Sequence, residues 1–325
     1  MAWYYIAPGL ILWAADHVLR LNNCLGINAH IEHIGVEGSG NIVSIGYTVS
    51  SVHKFIAGYF LGLRPLKRTR LDHRMGQYCF INIPQISPLE WHPFSISCSP
   101  LDSVTTHHIK SMGPQEWTGK LLDLAYEVNN GVSGRSLSQL VLNVDGPYGV
   151  PIPTQKYSRF CFLAGGIGVT PIHSYVRHMY LCLKNAQGKT LSYDDNGVLS
   201  DVSRATRGES VCAFSHVTQV RLVWIVRTEA ESMLFDKTIE AIEKDNLGGV
   251  FSYAIYITRG VKTDASSWRN GQFFCRPDIG AEVKDFASRT SDSLVFACGP
   301  KALVEMVSDF TLNYNIDFKH ETFEL

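Results

Sequence analysis

The stretch Phe160-Cys161-Phe162-Leu163-Ala164-Gly165-Gly166-Ile167-Gly168-Val169-Thr170-Pro171 decides how the rest of this chain is read. Five residues without a polar side chain predict a buried strand, and three glycines follow it at once. Thr170 and Pro171 then open an amphipathic helix with Ile172, Tyr175, Val176, Met179 and Leu183 along one face. Glycine permits a tight turn and lets a ligand approach the backbone closely. A helix start offers unpaired N–H groups and the positive end of the helix dipole, which together suit a pyrophosphate. Strand, glycine-rich turn and helix in this order make a nucleotide site the leading reading. Any tight βα turn can use glycine, so the surrounding chain has to decide.

The bulk numbers fit a two-domain enzyme. The chain has 325 residues, a net charge of −1 and 45% apolar residues, which excludes nucleic-acid binding and disorder as organising themes. Eight cysteines are scattered without CxxC or zinc-ligand spacing, and Cys79, Cys98, Cys161 and Cys298 lie inside strand-like runs. That usage fits buried, reduced thiols in a cytosolic compartment. None of the twelve histidines forms a metal pair at helical spacing within an apolar helix, and the one adjacent pair, His107-His108, points to opposite faces if it lies on a strand. No metal site is expected.

Outward from the central stretch, the chain divides into three parts. Residues 1–24 begin apolar and aromatic and end with His17 and Arg20; the run of about fifteen residues reaches roughly 22 Å, short of a ~30 Å hydrocarbon core. It reads as the end of a transmembrane helix from a longer protein, with an interfacial anchor or a core helix as alternatives. Tyr4, Tyr5 and Trp13 favour a membrane interface, with Arg20 on the cytoplasmic side. In residues 25–150, short strands are predicted at 29–36, 41–49, 57–63, 78–83, 94–98, 105–109 and 140–144, with one helix over 117–129. Regularly spaced strands without intervening helices predict an antiparallel barrel. In residues 151–325 strands at 160–164, 220–226, 251–258 and 293–298 alternate with helices near 171–184, 232–244, 281–288 and 301–310. That alternation predicts a parallel sheet covered on both faces, with ligands beyond the strand C-termini. Residues 185–215 break the pattern and read as a mobile insertion.

Four further patches carry chemistry. His92-Pro93-Phe94-Ser95 can offer an imidazole, an aromatic ring and a hydroxyl to a flat polar ring, although a barrel strand entered through proline would look the same. His108 and Lys110 share a strand face and could hold phosphates, or form a solvated edge. Asp145-Gly146-Pro147-Tyr148-Gly149 is a turn at the barrel's exit. Cys298-Gly299-Pro300 ends a buried strand and starts a helix, which puts a thiol at the sheet's ligand-binding edge or leaves it an inert core cysteine.

Taken together and in order, these motifs resemble the FAD- and NADPH-binding part of the ferric reductase and NADPH oxidase superfamily, over nearly the whole chain. Gly76-Gln77-Tyr78 with Leu89-Glu90-Trp91-His92-Pro93-Phe94-Ser95 is similar to the family's flavin strand, with Ser95 where Thr is usual. His108, Lys110, Trp117 and Thr118 resemble its next flavin-binding stretch, with Lys110 in place of the usual arginine; the charge is kept but a bidentate grip is not. Gly165 to Pro171, including Gly166, Gly168 and Thr170, matches the nucleotide loop. Trp224 and Arg227 match the ribose-phosphate strand, Arg276-Pro277 a further nucleotide-side turn, and Cys298-Gly299-Pro300 the nicotinamide edge. Phe323 resembles the near-terminal aromatic that covers the flavin, although Glu324 and Leu325 follow it. Soluble ferredoxin-reductase relatives usually carry Arg-x-Tyr-Ser/Thr at the flavin strand, and His92 to Ser95 departs from that.

The resemblance implies an FR-type FAD barrel over 25–150 and an NADPH domain over 151–325. Hydride would pass from NADPH to FAD beside Ser95 and Cys298, under the control of Phe323. Single electrons would then leave towards haem in a membrane-spanning part of the same protein, and reduce ferric chelates or oxygen. The residues after Phe323 tilt the expectation towards ferric iron. Haem is expected only in the membrane part, and this chain is expected to face the cytoplasm. A stand-alone soluble NAD(P)H diaphorase and a degenerate regulatory module are the competing classes. The first would need no membrane segment, and the second would need a broken site. Arg227 at the end of the second parallel strand predicts a preference for the 2′-phosphate of NADPH.

Overall fold

The computed structural model describes residues 6–13, 27–51, 70–131, 136–187, 214–259, 271–286 and 292–322. The predicted strand at 57–63, most of the 185–215 insertion and Phe323 lie outside them. Residues 6–13 are helical, with Ile6, Leu10, Ile11, Leu12 and Trp13 exposed. Eight helical residues reach only about 12 Å, and no helix among the described residues is long and apolar enough to cross a membrane. The expected end of a transmembrane helix over 1–24 therefore gains no support from the fold.

Among the described residues the first domain is an antiparallel barrel of six strands in two halves. One half has the order β1 (Ile27–Glu37), β2 (Ile42–Ser51), β5 (Thr105–Lys110). The other has the order β4 (His92–Ser95), β3 (Tyr78–Asn82), β6 (Asn143–Tyr148). One seam is bridged at Ala29–Leu142, and the other by the Ser97 N–H donating to the Thr106 carbonyl at 2.9 Å. Alternation sets the interior, because side chains two apart share a face. On β5, Thr105, His107 and Ile109 are buried, while Thr106, His108 and Lys110 face outward. Helix α1 (Trp117–Asn130) supplies Trp117, Leu121, Leu124 and Ala125 to the same core. His107 is accommodated among the apolar side chains because both ring nitrogens are engaged. Nδ1 donates to the Ser95 carbonyl at 3.0 Å, and Nε2 accepts from Tyr47 Oη at 3.1 Å.

Among the described residues the second domain is a parallel sheet of six strands in the order β10 (Gln272–Phe273), β9 (Phe251–Ile257), β8 (Gln219–Val226), β7 (Arg159–Gly165), β11 (Ser293–Gly299), β12 (Asp317–Thr322). Both faces are covered, so these strands are apolar on both sides. Phe160, Phe162 and Ala164 face α2 (Val169–Ala186) and α4 (Asp236–Asp245). Cys161 and Leu163 face α5 (Ile279–Phe286) and α6 (Lys301–Tyr314). The single helix predicted over 232–244 is two, a one-turn α3 (Glu229–Ser232) and α4, separated at Met233–Phe235. β10 and β12, which carry little apolar signal, escaped the sequence reading; β12 is a mostly exposed edge strand. Chain order runs outward from β7 in both directions, so the topological switch lies between β7 and β11. That is where open α/β sheets bind ligands.

Polar contacts clamp the two domains. Arg177 on α2 grips Asp102 with two bonds of 2.7 and 2.8 Å. Ser174 Oγ donates to the Cys98 carbonyl at 2.6 Å, and Ser99 Oγ meets His178 Nδ1 at 2.9 Å. His173 Nδ1 donates to the Ser97 carbonyl at 2.7 Å while Nε2 accepts from Thr238 at 2.9 Å. Its ring stacks on Phe235 at 3.8 Å. Every member of this buried set has a partner, which makes one body of the two domains.

Candidate active site

The β7–β11 switch point is built by backbone proximity. A Cβ on Gly165 would sit 2.7 Å from Pro300 Cδ, one on Gly299 2.9 Å from Gly165 Cα, and one on Gly168 2.7 Å from the Cys298 carbonyl carbon. Only glycine lets the two strand ends close this tightly. Gly166 is different: its φ is +55°, and a Cβ there would meet nothing within 4 Å. Its missing side chain leaves open space above the loop. Below the loop, Trp224 is buried and donates its indole N–H to the Gly166 carbonyl at 2.9 Å. Thr170 Oγ1 donates to the Ile167 carbonyl at 2.6 Å. Trp224, Thr170, Pro171 and Gly168 therefore form the frame that holds the loop, and the Trp224 ring is not presented to a ligand.

Above the loop lies an open cleft of about 450 Å³ between the domains. The barrel contributes Lys110, Ser111 and Met112. The sheet contributes Gly165, Gly166, Ile167, Arg227, Glu231, Gly299 and Pro300. Of the residues singled out in the sequence, Lys110, Gly165, Gly166, Arg227, Gly299 and Pro300 thus converge on one space. Arg227 is exposed, and its charge acts on the nearby Glu231 carboxylate. Lys110 is otherwise engaged: its Nζ lies 2.6 Å from Glu231 Oε1. Glu231 Oε2 accepts the Arg227 backbone N–H at 2.9 Å. Burial on its own would raise the Glu231 carboxyl, yet the Lys110 ammonium, the Arg227 N–H and the Arg227 charge together hold it below the usual range. Glu231 escaped the sequence reading. The Thr228-Glu229-Ala230-Glu231 spacing of a helix-start box was the available signal.

Cys298 is fully buried on the α2 side of β11, and burial, with the Glu321 carboxylate beside it, pushes its thiol well up. It is a neutral thiol just under the cleft floor. Glu321, the β12 register partner of Cys298, is pushed up by burial to about 7. Arg276 and Pro277 follow β10 at the far side of the sheet edge, outside the cleft lining.

On the barrel, His92 and Phe94 occupy alternate positions of β4 and meet Trp117 at ring distances of 4.8 and 5.7 Å. Pro93 and Ser95 fall on the other face of the strand, so the hydroxyl and the two rings are not presented together. The indole N–H of Trp117 is buried without a hydrogen-bond partner, and Glu116 supplies no side-chain cap to α1. Orphaned donors at a helix start beside an aromatic patch fit a phosphorylated flavin. Thr118 Oγ1 accepts the Met112 N–H at 3.0 Å and folds the preceding loop onto that helix start. Pro147 is half-buried in β6 beside Tyr78 and Tyr148. His108 does not face a ligand. Nδ1 bonds Ser97 Oγ at 2.8 Å, its edge packs on Phe235, and burial lowers it to about 3, so it offers no cation to a phosphate. On the nucleotide side, the open space at Gly166 and the start of α2 without a side-chain cap fit a dinucleotide phosphate.

A barrel that fits a flavin, a parallel sheet with a phosphate-binding loop, and a cleft joining them define a flavin and nicotinamide nucleotide oxidoreductase. Residues 54–152 match the FAD-binding domain family and residues 157–312 the ferric reductase NAD binding domain, most of the chain between them. The chain belongs to the ferric reductase and NADPH oxidase superfamily, as its FAD- and NAD(P)-binding part. It is 27% identical to respiratory burst oxidase homolog protein D of Solanum tuberosum over 98% of this chain and 37% of that protein. It is 29% identical to a superoxide-generating NADPH oxidase heavy chain of Dictyostelium discoideum over 71% of this chain and 33% of that one. The chain thus spans about a third of the length of these relatives. Its fold is similar to Amycolatopsis cytochrome P450 reductase GcoB, with a TM-score of 0.56 and 15% identity over 91% of this chain and 69% of that one.

Proposed function

We propose that this chain is the electron-entry part of a membrane NADPH oxidase, taking hydride equivalents from NADPH and delivering electrons to a haem-bearing part of the same protein on the cytoplasmic side of a membrane. The observation that carries the reading is the convergence of the Gly165–Ile167 loop, Arg227 and the Gly299-Pro300 edge on one cleft that also touches the barrel. Bound FAD supplies the one function the side chains lack, accepting two electrons together and releasing them singly.

The chain's own residues bind and orient. The Gly166 and Ile167 backbone and the α2 dipole receive the pyrophosphate. Arg227, with an exposed planar guanidinium, receives the 2′-phosphate. The Gly299-Pro300 edge, tight against Gly165, leaves room for a flat ring directly over buried Cys298. His92, Phe94 and Trp117 offer ring surfaces on the barrel side. No residue is required to donate or abstract a proton in hydride transfer, and rate comes from orientation and electrostatics. Phe323 lies outside the described residues, and its proposed role is to cover the flavin until nicotinamide displaces it.

The oxidase names of the relatives favour oxygen as terminal acceptor, while the ferric reductase name of the matching NAD domain keeps ferric chelates as the second reading. Purified chain should bind FAD, and anaerobic NADPH should bleach the flavin absorbance without any haem band. A FAD-loaded preparation that stays oxidised under NADPH refutes the reading. Membranes carrying the full-length gene product then separate the acceptors, by superoxide-dependent cytochrome c reduction against ferric chelate reduction.

A further inference from the structure

His107 is fully buried in the barrel core, where an apolar side chain would pack without needing hydrogen-bond partners. What the imidazole does there is reach the end of β4. Ser95 is the last residue of that strand, and β4 is the edge strand of its half of the barrel. The next residue bonds inward to β3, with the Ile96 N–H donating to the Gln77 carbonyl at 2.9 Å. The Ser95 carbonyl is caught instead by a side chain from the other half, His107 Nδ1 at 3.0 Å. The Ser95–Ile96 peptide is thus held at both ends where the chain crosses from one half of the barrel to the other. The chemistry of the partners fixes the proton. A carbonyl only accepts, so Nδ1 carries the hydrogen. Burial keeps the ring neutral, lowered to about 3, so Nε2 is a bare acceptor. Tyr47 Oη, fully buried and 3.1 Å away, donates to it, and the two rings stack at 5.6 Å with 6° between their planes. Hydroxyl, imidazole and carbonyl form one directed chain from Tyr47 through His107 to Ser95.

We propose that His107, locked in one tautomer by Tyr47, is a positioning residue for flavin chemistry: it fixes the backbone at Ser95, and with it the hydroxyl that the family resemblance puts beside the flavin. The inference rests on that placement of Ser95. Neither His107 nor Tyr47 needs to touch the cofactor, since both act through the Ser95 carbonyl. Orientation is the main source of rate in hydride transfer, and a misplacement of about 1 Å can cost on the order of a hundredfold. A four-residue strand that pairs only with β3 has few ladder bonds of its own to prevent such a shift. The seam towards β5 is where extra restraint is required, and His107 supplies it there. The adjacent histidines therefore divide their tasks, His108 facing outward to Ser97 and Phe235 and His107 facing inward to Ser95.

The test reads the bound flavin itself as well as its turnover. On the FAD-loaded chain, dithionite titration gives the flavin midpoint potential. Anaerobic stopped-flow absorbance gives the limiting rate of flavin reduction at saturating NADPH. Ser95→Ala addresses the underlying placement and should move both; if neither moves, Ser95 does not face the flavin. His107→Leu keeps a similar volume but removes the donor. It should shift the potential in the same direction as Ser95→Ala and lower the limiting rate roughly tenfold. His107→Asn should restore the rate to within about threefold, because its amide nitrogen can take the place of Nδ1. Adding His107→Leu to Ser95→Ala should cost little beyond Ser95→Ala alone, since both changes act at one group. A histidine that merely packs the core would move the urea midpoint and leave potential and rate where they were. Tyr47→Phe lets the proton settle on either ring nitrogen. A roughly threefold fall in rate there keeps the idea testable if His107→Leu folds poorly. With Ser95→Ala behaving as expected, three results overturn the proposal: wild-type potential and rate in His107→Leu, a His107→Asn variant as slow as His107→Leu, or fully additive losses in the double variant.

Discussion

Adding one methyl at Gly166 separates the loop's structural duty from its binding duty. The position has φ +55°, so alanine there costs about 1–2 kcal/mol of stability from backbone conformation. No packing cost is added, because the new Cβ meets no atom within 4 Å. The methyl instead enters the space assigned to the nucleotide phosphates, so Gly166→Ala should raise the NADP⁺ dissociation constant at least tenfold. Linkage turns that into a measurable stability difference. A ligand at a hundred times its Kd stabilises the wild type by about 2.7 kcal/mol, and after a tenfold loss of affinity the same concentration gives about 1.4 kcal/mol. Urea unfolding with and without NADP⁺ reads both quantities. Gly168→Ala is the counterpart. Its Cβ would overlap the Cys298 carbonyl, so it should lose about 1–3 kcal/mol without any ligand present. Gly166→Ala that keeps the full NADP⁺ stabilisation would falsify the assignment of the loop as a phosphate cradle.

Acid should destabilise the fold. Burial lowers His107 and His108 to about 3 and His178 to about 4, so as pH falls below the ordinary value near 6.5 the unfolded chain takes up protons that the folded one refuses. At pH 5.5 each should cost about 1.4 kcal/mol, with no penalty above pH 7.5; equal urea midpoints at the two pH values would exclude it. Glu321 has the opposite sign. Its carboxyl sits at about 7, so its contribution is present below about pH 4.5 and is lost as pH rises to 7. Glu321→Gln should therefore stabilise the chain by about 3 kcal/mol at pH 8 and by almost nothing at pH 4; a pH-independent gain would show that burial of the charge is not the cause.

Local patterning carried most of the architecture. Period-two alternation and turn residues announced the barrel strands, and four apolar runs alternating with helical stretches announced the parallel sheet, because burial on one face or two leaves its mark residue by residue. Gly165, Gly168 and Gly299 were legible for the same reason: a close backbone approach tolerates no other residue type. What the sequence could not carry were pairings between distant residues. That Trp224 props Gly166 from below, that His108 is spent on Ser97 and Phe235, and that the cation expected to grip a phosphate grips Glu231 instead all depend on which element lies opposite which after folding. A lysine's charge can be read one residue at a time. Its partner, 121 positions away in the other domain, is chosen by the docking of barrel against sheet.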